Sequence, residues 1–308
     1  MNEPIAYLDG EMLPQSRATL PVWDAGFVLG TTVVEQLRTF GGSLFHVEDH
    51  LSRLYRSLEL VGTECPLSQV ELTDIVTQVA EQNWPLLDPA DDLGVSIFVT
   101  PGDSPSLTDG ASGRPRVGVH SFPLAFGLWA EKYELGQRLV ITDTRHVPEA
   151  CWPTEIKCRS RMHYHLADRE AQSRQAGARA LLLDIEGNVA EASTANVVIY
   201  REAEGLLAPP MSHVLPGVSI RVLLALAKKL GIPTSERNLL PQDVLTADEV
   251  LLSSTPFCIL PVSEVDQKAI GSGCPGRAFQ QLLTAFGEQV GLDIAAQARR
   301  FARRENAS

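Results

Sequence analysis

The spacing of apolar residues changes period several times along this chain, and each change marks an element. Residues 5–8 run apolar into Asp9-Gly10, which predicts a strand entering a turn. Residues 44–47 predict a second short strand, after the turn signal Gly41-Gly42. From 48 to 61 the period becomes helical. Leu51, Leu54 and Leu58 fall on one face, and Arg53 points away from that stripe. Residues 72–84 predict a second helix, stopped by Pro85. Residues 95–99 predict a strand ended by Pro101-Gly102. A loop rich in Gly, Ser, Pro and Asp follows over 102–115, then a strand over 116–120.

A boundary is expected near 123–129, after which the pattern restarts. Residues 138–141 predict a strand and 163–175 a helix. Strands are expected over 178–183 and 196–200, on either side of the turn Glu186-Gly187-Asn188. Residues 218–230 predict a strong helix, with Lys228 and Lys229 in its last turn and Gly231 as its cap. Residues 249–252 predict a strand leading into Ser253-Ser254-Thr255-Pro256, and 278–290 a helix. The charged stretch 299–308 is expected as a frayed tail. There is no internal repeat or low-complexity tract. Strands and helices mix without regular βαβ alternation, so the expected class is α+β.

Composition narrows the function classes. Hydrophobic residues make up 44% and charged residues 21%, as in an ordinary globular protein. With 26 Lys and Arg against 38 Asp and Glu, the net charge is −12, which argues against nucleic acid or an anionic membrane as partner. The five cysteines (Cys65, Cys151, Cys158, Cys258 and Cys274) are scattered and form no CxxC pair. A disulfide framework or a metal site is not expected, and a reducing, cytoplasmic setting is. Met1-Asn2-Glu3-Pro4 begins no signal-peptide pattern, and no apolar run approaches a membrane span. Gly-x-Gly-x-x-Gly, Walker A, His-Glu-x-x-His and Gly-x-Ser-x-Gly motifs are all missing from the sequence. Nucleotide-binding, zinc-peptidase and serine-hydrolase readings therefore lack an anchor.

Three segments carry candidate chemistry. Lys157 lies in Pro153-Thr154-Glu155-Ile156-Lys157-Cys158-Arg159-Ser160-Arg161. Glu191 lies in Gly187-Asn188-Val189-Ala190-Glu191-Ala192-Ser193-Thr194-Ala195-Asn196. Leu215-Pro216-Gly217-Val218-Ser219-Ile220-Arg221 opens the strong helix. An amine, a carboxylate and a helix N-terminus in this order are what pyridoxal phosphate requires: a Schiff-base lysine, a partner for the pyridinium nitrogen and a phosphate seat. Each residue also has a plain reading. Lys157 alone would be a surface lysine in a basic turn, Glu191 a solvated hairpin carboxylate, and Arg53 a solvated helix arginine. Ser219 would be an N-cap, Ser254 and Thr255 a strand-end turn, and Arg38 a solvated residue or a partner of Glu35.

Taken together, the segments resemble the fold-type IV pyridoxal phosphate enzymes, which include branched-chain aminotransferases, D-amino-acid aminotransferases and aminodeoxychorismate lyases. The resemblance runs from Tyr7 to Val265. It rests on Asp9-Gly10, on Gly30-Thr31-Thr32-Val33-Val34-Glu35-Gln36-Leu37-Arg38, and on His50-Leu51-Ser52-Arg53-Leu54. The three segments above, Ala247-Asp248-Glu249-Val250, Ser254-Thr255 and Pro261-Val262 complete it.

The resemblance implies that Lys157 makes the Schiff base and moves protons, that Glu191 keeps the ring nitrogen protonated, and that Arg53 pairs with the phosphate. Val218, Ser219, Ser254 and Thr255 would add phosphate donors, with Asn196 structural. It further implies a small N-terminal α/β domain over 1–123, a linker over 124–131, and a larger C-terminal cofactor-binding domain with a barrel-like sheet over 132–298. The charged tail is 299–308, and the cofactor would lie between the domains of a homodimer. The implied activity is transfer of an amino group between an amino acid and a 2-oxo acid. The alternatives are an aminodeoxychorismate lyase releasing pyruvate and a non-catalytic relative that keeps the fold as a binding module.

The substrate side departs from the named subgroups. The tyrosine that branched-chain enzymes carry five residues after the lysine is Met162 here, and their front tyrosine is Leu29. The loop Pro101-Gly102-Asp103-Ser104-Pro105-Ser106-Leu107-Thr108 lacks the Arg-x-His pair of the D-amino-acid subgroup. Arg38, Arg159, Arg161 and His163 are candidate replacements for the carboxylate anchor. The arginines beside the lysine are preferred among them, and the handedness of the substrate stays open.

Overall fold

The computed structural model describes residues 3–111, 113–272 and 275–303. The chain divides into two compact units. One comprises Met1–Leu124 with Ile156–Ser160, and the other Ala125–Glu155 with Arg161–Ser308.

The first unit holds strands β1 (Ile5–Leu8), β2 (Glu11–Pro14), β3 (Val33–Phe40), β4 (Ser43–Leu44), β5 (Leu93–Thr100) and β6 (Arg116–Pro123). Its helices are α1 (Ala25–Val28), α2 (Val47–Val61) and α3 (Gln69–Asn83). Among the described residues the strands form one sheet in the order β2-β1-β6-β5-β3-β4, antiparallel at every pairing. Period-two alternation sends Val33, Leu37, Val95, Ile97, Val117 and Val119 to one face. There they pack with Leu51, Leu54 and Leu58 of α2 and Leu72, Val76 and Val79 of α3. A capping box between Ser68 and Glu71 starts α3. The strand expected over 44–47 stops at Leu44. His46 adopts a left-handed conformation (φ 53°), and Val47 opens α2 with Glu48 and Asp49 at the helix's positive end.

One part of this unit comes from far along the chain. Val34 donates its N–H to the Lys157 carbonyl at 3.0 Å, Arg159 donates its own to the Thr32 carbonyl at 2.9 Å, and Val33 bridges Cys158. The lysine segment thus lies as a short extended strand against the start of β3.

The second unit holds strands β7 (Gln137–Ile141), β8 (Arg179–Leu183), β9 (Val189–Ala192), β10 (Asn196–Arg201) and β11 (Gly205–Ala208). Strands β12 (Thr234–Glu236), β13 (Glu249–Ser254), β14 (Cys258–Val265) and β15 (Lys268–Ala269) follow. Its helices are α4 (Lys132–Leu135), α5 (Met162–Arg174), α6 (Val218–Lys229), α7 (Pro241–Leu245), α8 (Arg277–Val290) and α9 (Ile294–Phe301). The strand order is β12-β11-β10-β13-β14-β7-β8-β9, with β15 beside β14, and the sheet curls into a half-barrel. Parallel pairings occur at β11/β12, β14/β7 and β7/β8. The mixed α+β class expected from the sequence is therefore present.

Three local expectations change. Between β8 and β10 lies an additional strand, β9, which carries Glu191. The turn before it is pinned by Asp184, which accepts N–H bonds from Glu186 at 2.9 Å and Asn188 at 2.8 Å. Residues 124–131 contain a short turn over Phe126–Leu128, with Phe126, Trp129 and Ala130 buried. The segment 299–301 is not frayed: it finishes α9, and Phe301 is buried with its ring 6.2 Å from that of Phe126. Residues 304–308 of the expected tail lie outside the described residues. Among the described residues no helix is long and apolar enough to cross a membrane.

Candidate active site

The lysine belongs to the first unit. Lys157 is half-buried, and its backbone N–H donates to Ser57 Oγ of α2 at 3.1 Å. With its carbonyl bonded to Val34, the residue is fixed on both sides of its Cα. The Ser160 hydroxyl, bonded to the Gly30 carbonyl, ties down the far end of the segment. This is not a loose surface turn.

Close by, three polar side chains are buried together. Glu35 of β3 is fully buried and accepts from His50 Nδ1 at 2.8 Å, Arg53 Nε at 2.7 Å and Arg53 Nη2 at 2.9 Å. Burial alone would raise the Glu35 pKa. The Arg53 charge and the His50 bond outweigh it and hold the carboxyl well below the usual range. Burial lowers the His50 pKa against the pull of Glu35, and the charges of Arg53 and Lys157 lower it further. Arg53 is therefore not turned to solvent as its helical position suggested. Its guanidinium is buried and oriented by a two-point pair with Glu35. Arg38 is buried too, so its solvated reading fails. Its Nε donates to the Thr39 carbonyl at 3.2 Å, and its Cζ stands 4.0 Å from the centre of the Phe40 ring. Arg159 is exposed and reaches β5, where its Nη2 donates to Ser96 Oγ at 3.1 Å.

Glu191 and the turn that opens α6 belong to the second unit. Glu191 is only 3% exposed, so it is no solvated hairpin residue. It accepts from the Tyr164 hydroxyl of α5 and from His146 Nε2 at 3.1 Å. His163 packs beside this group, 5.9 Å from the His146 ring and 3.9 Å from the Tyr164 ring. Burial pushes the His163 pKa down to about 4; the neighbouring His146 and Arg161 add to that and outweigh Glu191. His163 is neutral at pH 7. Arg161 is half-buried at the start of α5.

Helix α6 begins at Val218 after Gly217. The first N–H groups of a helix have no carbonyl one turn back, so Val218 and Ser219 present donors at its positive end. Asn196 Nδ2 donates to the Leu215 carbonyl at 2.8 Å, and a Cβ on Gly217 would meet Asn196 Oδ1 at 2.2 Å. Asn196 therefore clamps the turn closely enough that only glycine fits. Ser254 Oγ donates to the Thr194 carbonyl at 3.0 Å, which ties the end of β13 to the turn between β9 and β10. Thr255 follows it, half-buried, at the end of β13.

The sequence pattern did not single out Glu35, Ser57, His146 and Tyr164 as the partners of these candidate residues. Only Glu35 left a signal: a carboxylate between Val33 and Leu37 on the inward phase of an apolar strand. The donor chemistry suits pyridoxal phosphate: an amine on a fixed segment, a buried carboxylate holding two donors, a guanidinium and a glycine-lined helix N-terminus.

The chain thus holds a half-barrel of mixed strands with a helix N-terminus beside it, and a lysine strand docked on a separate antiparallel sheet. Residues 32–265 match the family described as amino-transferase class IV, and the chain belongs to that family. It is similar to the D-alanine aminotransferase of Bacillus licheniformis, with 26% identity over 283 residues, 92% of this chain and 95% of that protein. The structure of the branched-chain amino acid aminotransferase of Escherichia coli superposes with TM-score 0.85 at 24% identity, covering 93% of this chain and 94% of that one. The T.th. branched-chain amino acid aminotransferase, solved with pyridoxamine 5'-phosphate, gives TM-score 0.83 at 25% identity over 94% and 95% of the chains. The chain is a transaminase using pyridoxal phosphate, and the lyase alternative is not favoured.

Proposed function

We propose that Lys157 is the amine that holds the cofactor and moves the proton at the substrate α-carbon as the amino group passes from an amino acid to a 2-oxo acid. The observation that carries this reading is the fixed setting of Lys157, bonded to Val34 on β3 and Ser57 on α2. When bound, the cofactor supplies an electron sink beside the substrate α-carbon. Glu191 then accepts the ring N–H and favours its protonated form, with Tyr164 and His146 orienting the carboxylate. Arg53, Val218, Ser219 and Thr255 hold the phosphate. Ser254, its hydroxyl on Thr194, shapes the turn that presents Thr255.

The relatives bear the names D-alanine and branched-chain aminotransferase, so D-alanine and the branched-chain L-amino acids are the first donors to test, against pyruvate and 2-oxoglutarate. We place the enzyme in the cytoplasm as a homodimer. The scattered cysteines, which form no CxxC pair, support a reducing compartment. The exposed apolar run Leu20, Val22, Trp23, Phe27, Val28 and Leu29 supports a second copy as partner.

The test is borohydride reduction of protein purified with pyridoxal phosphate. Wild type gains the mass of one cofactor per chain, less the water lost on condensation and plus two hydrogens from the reduction, and Lys157→Ala gains none. Wild type that retains no cofactor at all would sink the reading.

A further inference from the structure

We infer that the face of the first unit's sheet turned away from α2 and α3 carries a carboxylate-binding notch built from Arg159, Ser96 and His120. It takes a carboxylate of the amino acid or 2-oxo acid. This rests on the proposed role of Lys157.

The notch follows from strand register. Gln36 of β3, Ser96 of β5 and His120 of β6 stand directly opposite one another across three strands. Their neighbours Leu37, Val95, Ile97 and Val119 pack into the core. By period-two alternation the polar row therefore lies on the opposite face. Two aromatic rings wall it. Phe98 pairs with Gly118 and Phe122 with Gly94. A Cβ would lie 2.1 Å from the Phe98 ring at Gly118 and 2.3 Å from the Phe122 ring at Gly94. Each ring lies down across the glycine of the next strand, with the polar row between them.

Arg159 completes the row. Ser96 is 1% exposed, and its hydroxyl accepts from Arg159 Nη2, so a buried group orients an otherwise exposed guanidinium. The ring of His120 feels the Arg159 charge, which adds to burial in lowering its pKa. An arginine and a histidine from separate elements thus share one polar strip, although the loop over 101–108 contains neither. The bridge of Val33 to Cys158 sets Cys158 on the core phase. Alternation then sends Lys157 and Arg159 to the same side, roughly 7 Å apart along an extended chain. A planar guanidinium on the same side of the sheet as the reacting amine suits a carboxylate of the substrate.

Steady-state transamination by Arg159→Ala and His120→Ala, with pyruvate and with 2-oxoglutarate as acceptors, tests this. Losing a charge-assisted hydrogen bond should raise KM about ten- to a hundredfold in Arg159→Ala, a few-fold in His120→Ala, with kcat and the cofactor absorbance little changed. Arg159→Lys should recover part of the loss. A rise for both acceptors assigns the notch to the α-carboxylate, and a rise for 2-oxoglutarate alone assigns it to the side-chain carboxylate. Unchanged KM for both acceptors in both variants overturns the proposal, and a rise in Arg159→Ala alone removes the histidine from it. If wild type exchanges no amino group with any pair, the proposed function fails instead. Glutarate binding by calorimetry, lost in Arg159→Ala or not, then decides the notch by itself.

Discussion

A fully buried carboxylate must have partners, and those of Glu35 include the Arg53 guanidinium, the His50 ring and the Gln36 N–H. The arrangement fixes how stability responds to pH. Glu35 has a folded pKa below its unfolded one, so its contribution is complete above the ordinary carboxylate range and falls away in acid. His50 acts in the same direction. Its folded pKa is also depressed, so the folded state is penalised as pH drops below the ordinary histidine value. Replacing Glu35 by Gln removes a buried negative charge that faces Arg53 at two points, at a cost of about 3 kcal/mol. The urea midpoint at pH 7 should fall accordingly, and the acid limb between pH 5 and pH 3 should flatten, since the titrating group is gone. An unchanged midpoint would show that Arg53 is compensated elsewhere. Little of this was legible in the sequence. The helical pattern placed Arg53 off the apolar stripe, but its partner sits 18 residues earlier on another element.

Elements with strong periodic contrast were readable. Helix α6 was expected over 218–230 and runs Val218–Lys229, and α8 was expected over 278–290 and runs Arg277–Val290. Strand β9 was not, for a physical reason. Its sequence Val-Ala-Glu-Ala has no period-two contrast, and all four residues are buried. Its glutamate is tolerated there because Tyr164 and His146 reach it from elsewhere in the fold. Cross-strand glycines were equally silent. Gly94 and Gly118 look like strand weaknesses, yet each makes room for a ring on the next strand. Gly118→Ala forces the Phe98 ring off its seat and should destabilise the protein by about 1–3 kcal/mol, as overpacking does. Thermal melting reads this directly. If the melting temperature holds, the ring has somewhere else to go, and the wall it makes beside Ser96 is not fixed.

At the scale of the whole molecule, the unreadable feature is the return of Ile156–Ser160 to the first unit, which brings Lys157 to a serine 100 residues earlier. A linear pattern carries no trace of such a contact; only the ordered set of family segments hinted that Lys157 mattered. The exposed run over 20–29 is the opposite case, since its apolar residues are plain in the sequence and the fold leaves them uncovered. Phe27 is 75% exposed and Val22 71%. Burying one such side chain against a partner is worth about 1.5–3 kcal/mol, enough for a few of them to hold two copies together. Wild type should therefore sediment with the mass of two chains. Phe27→Asp places a charge in the middle of the run without touching the core, so its melting temperature should stay near wild type at concentrations where wild type is dissociated. Its sedimentation should shift towards one chain at micromolar concentration. Wild type that sediments as a single chain across that range would remove the second copy as the occupant of this surface, and the apolar run would then need a partner of another kind.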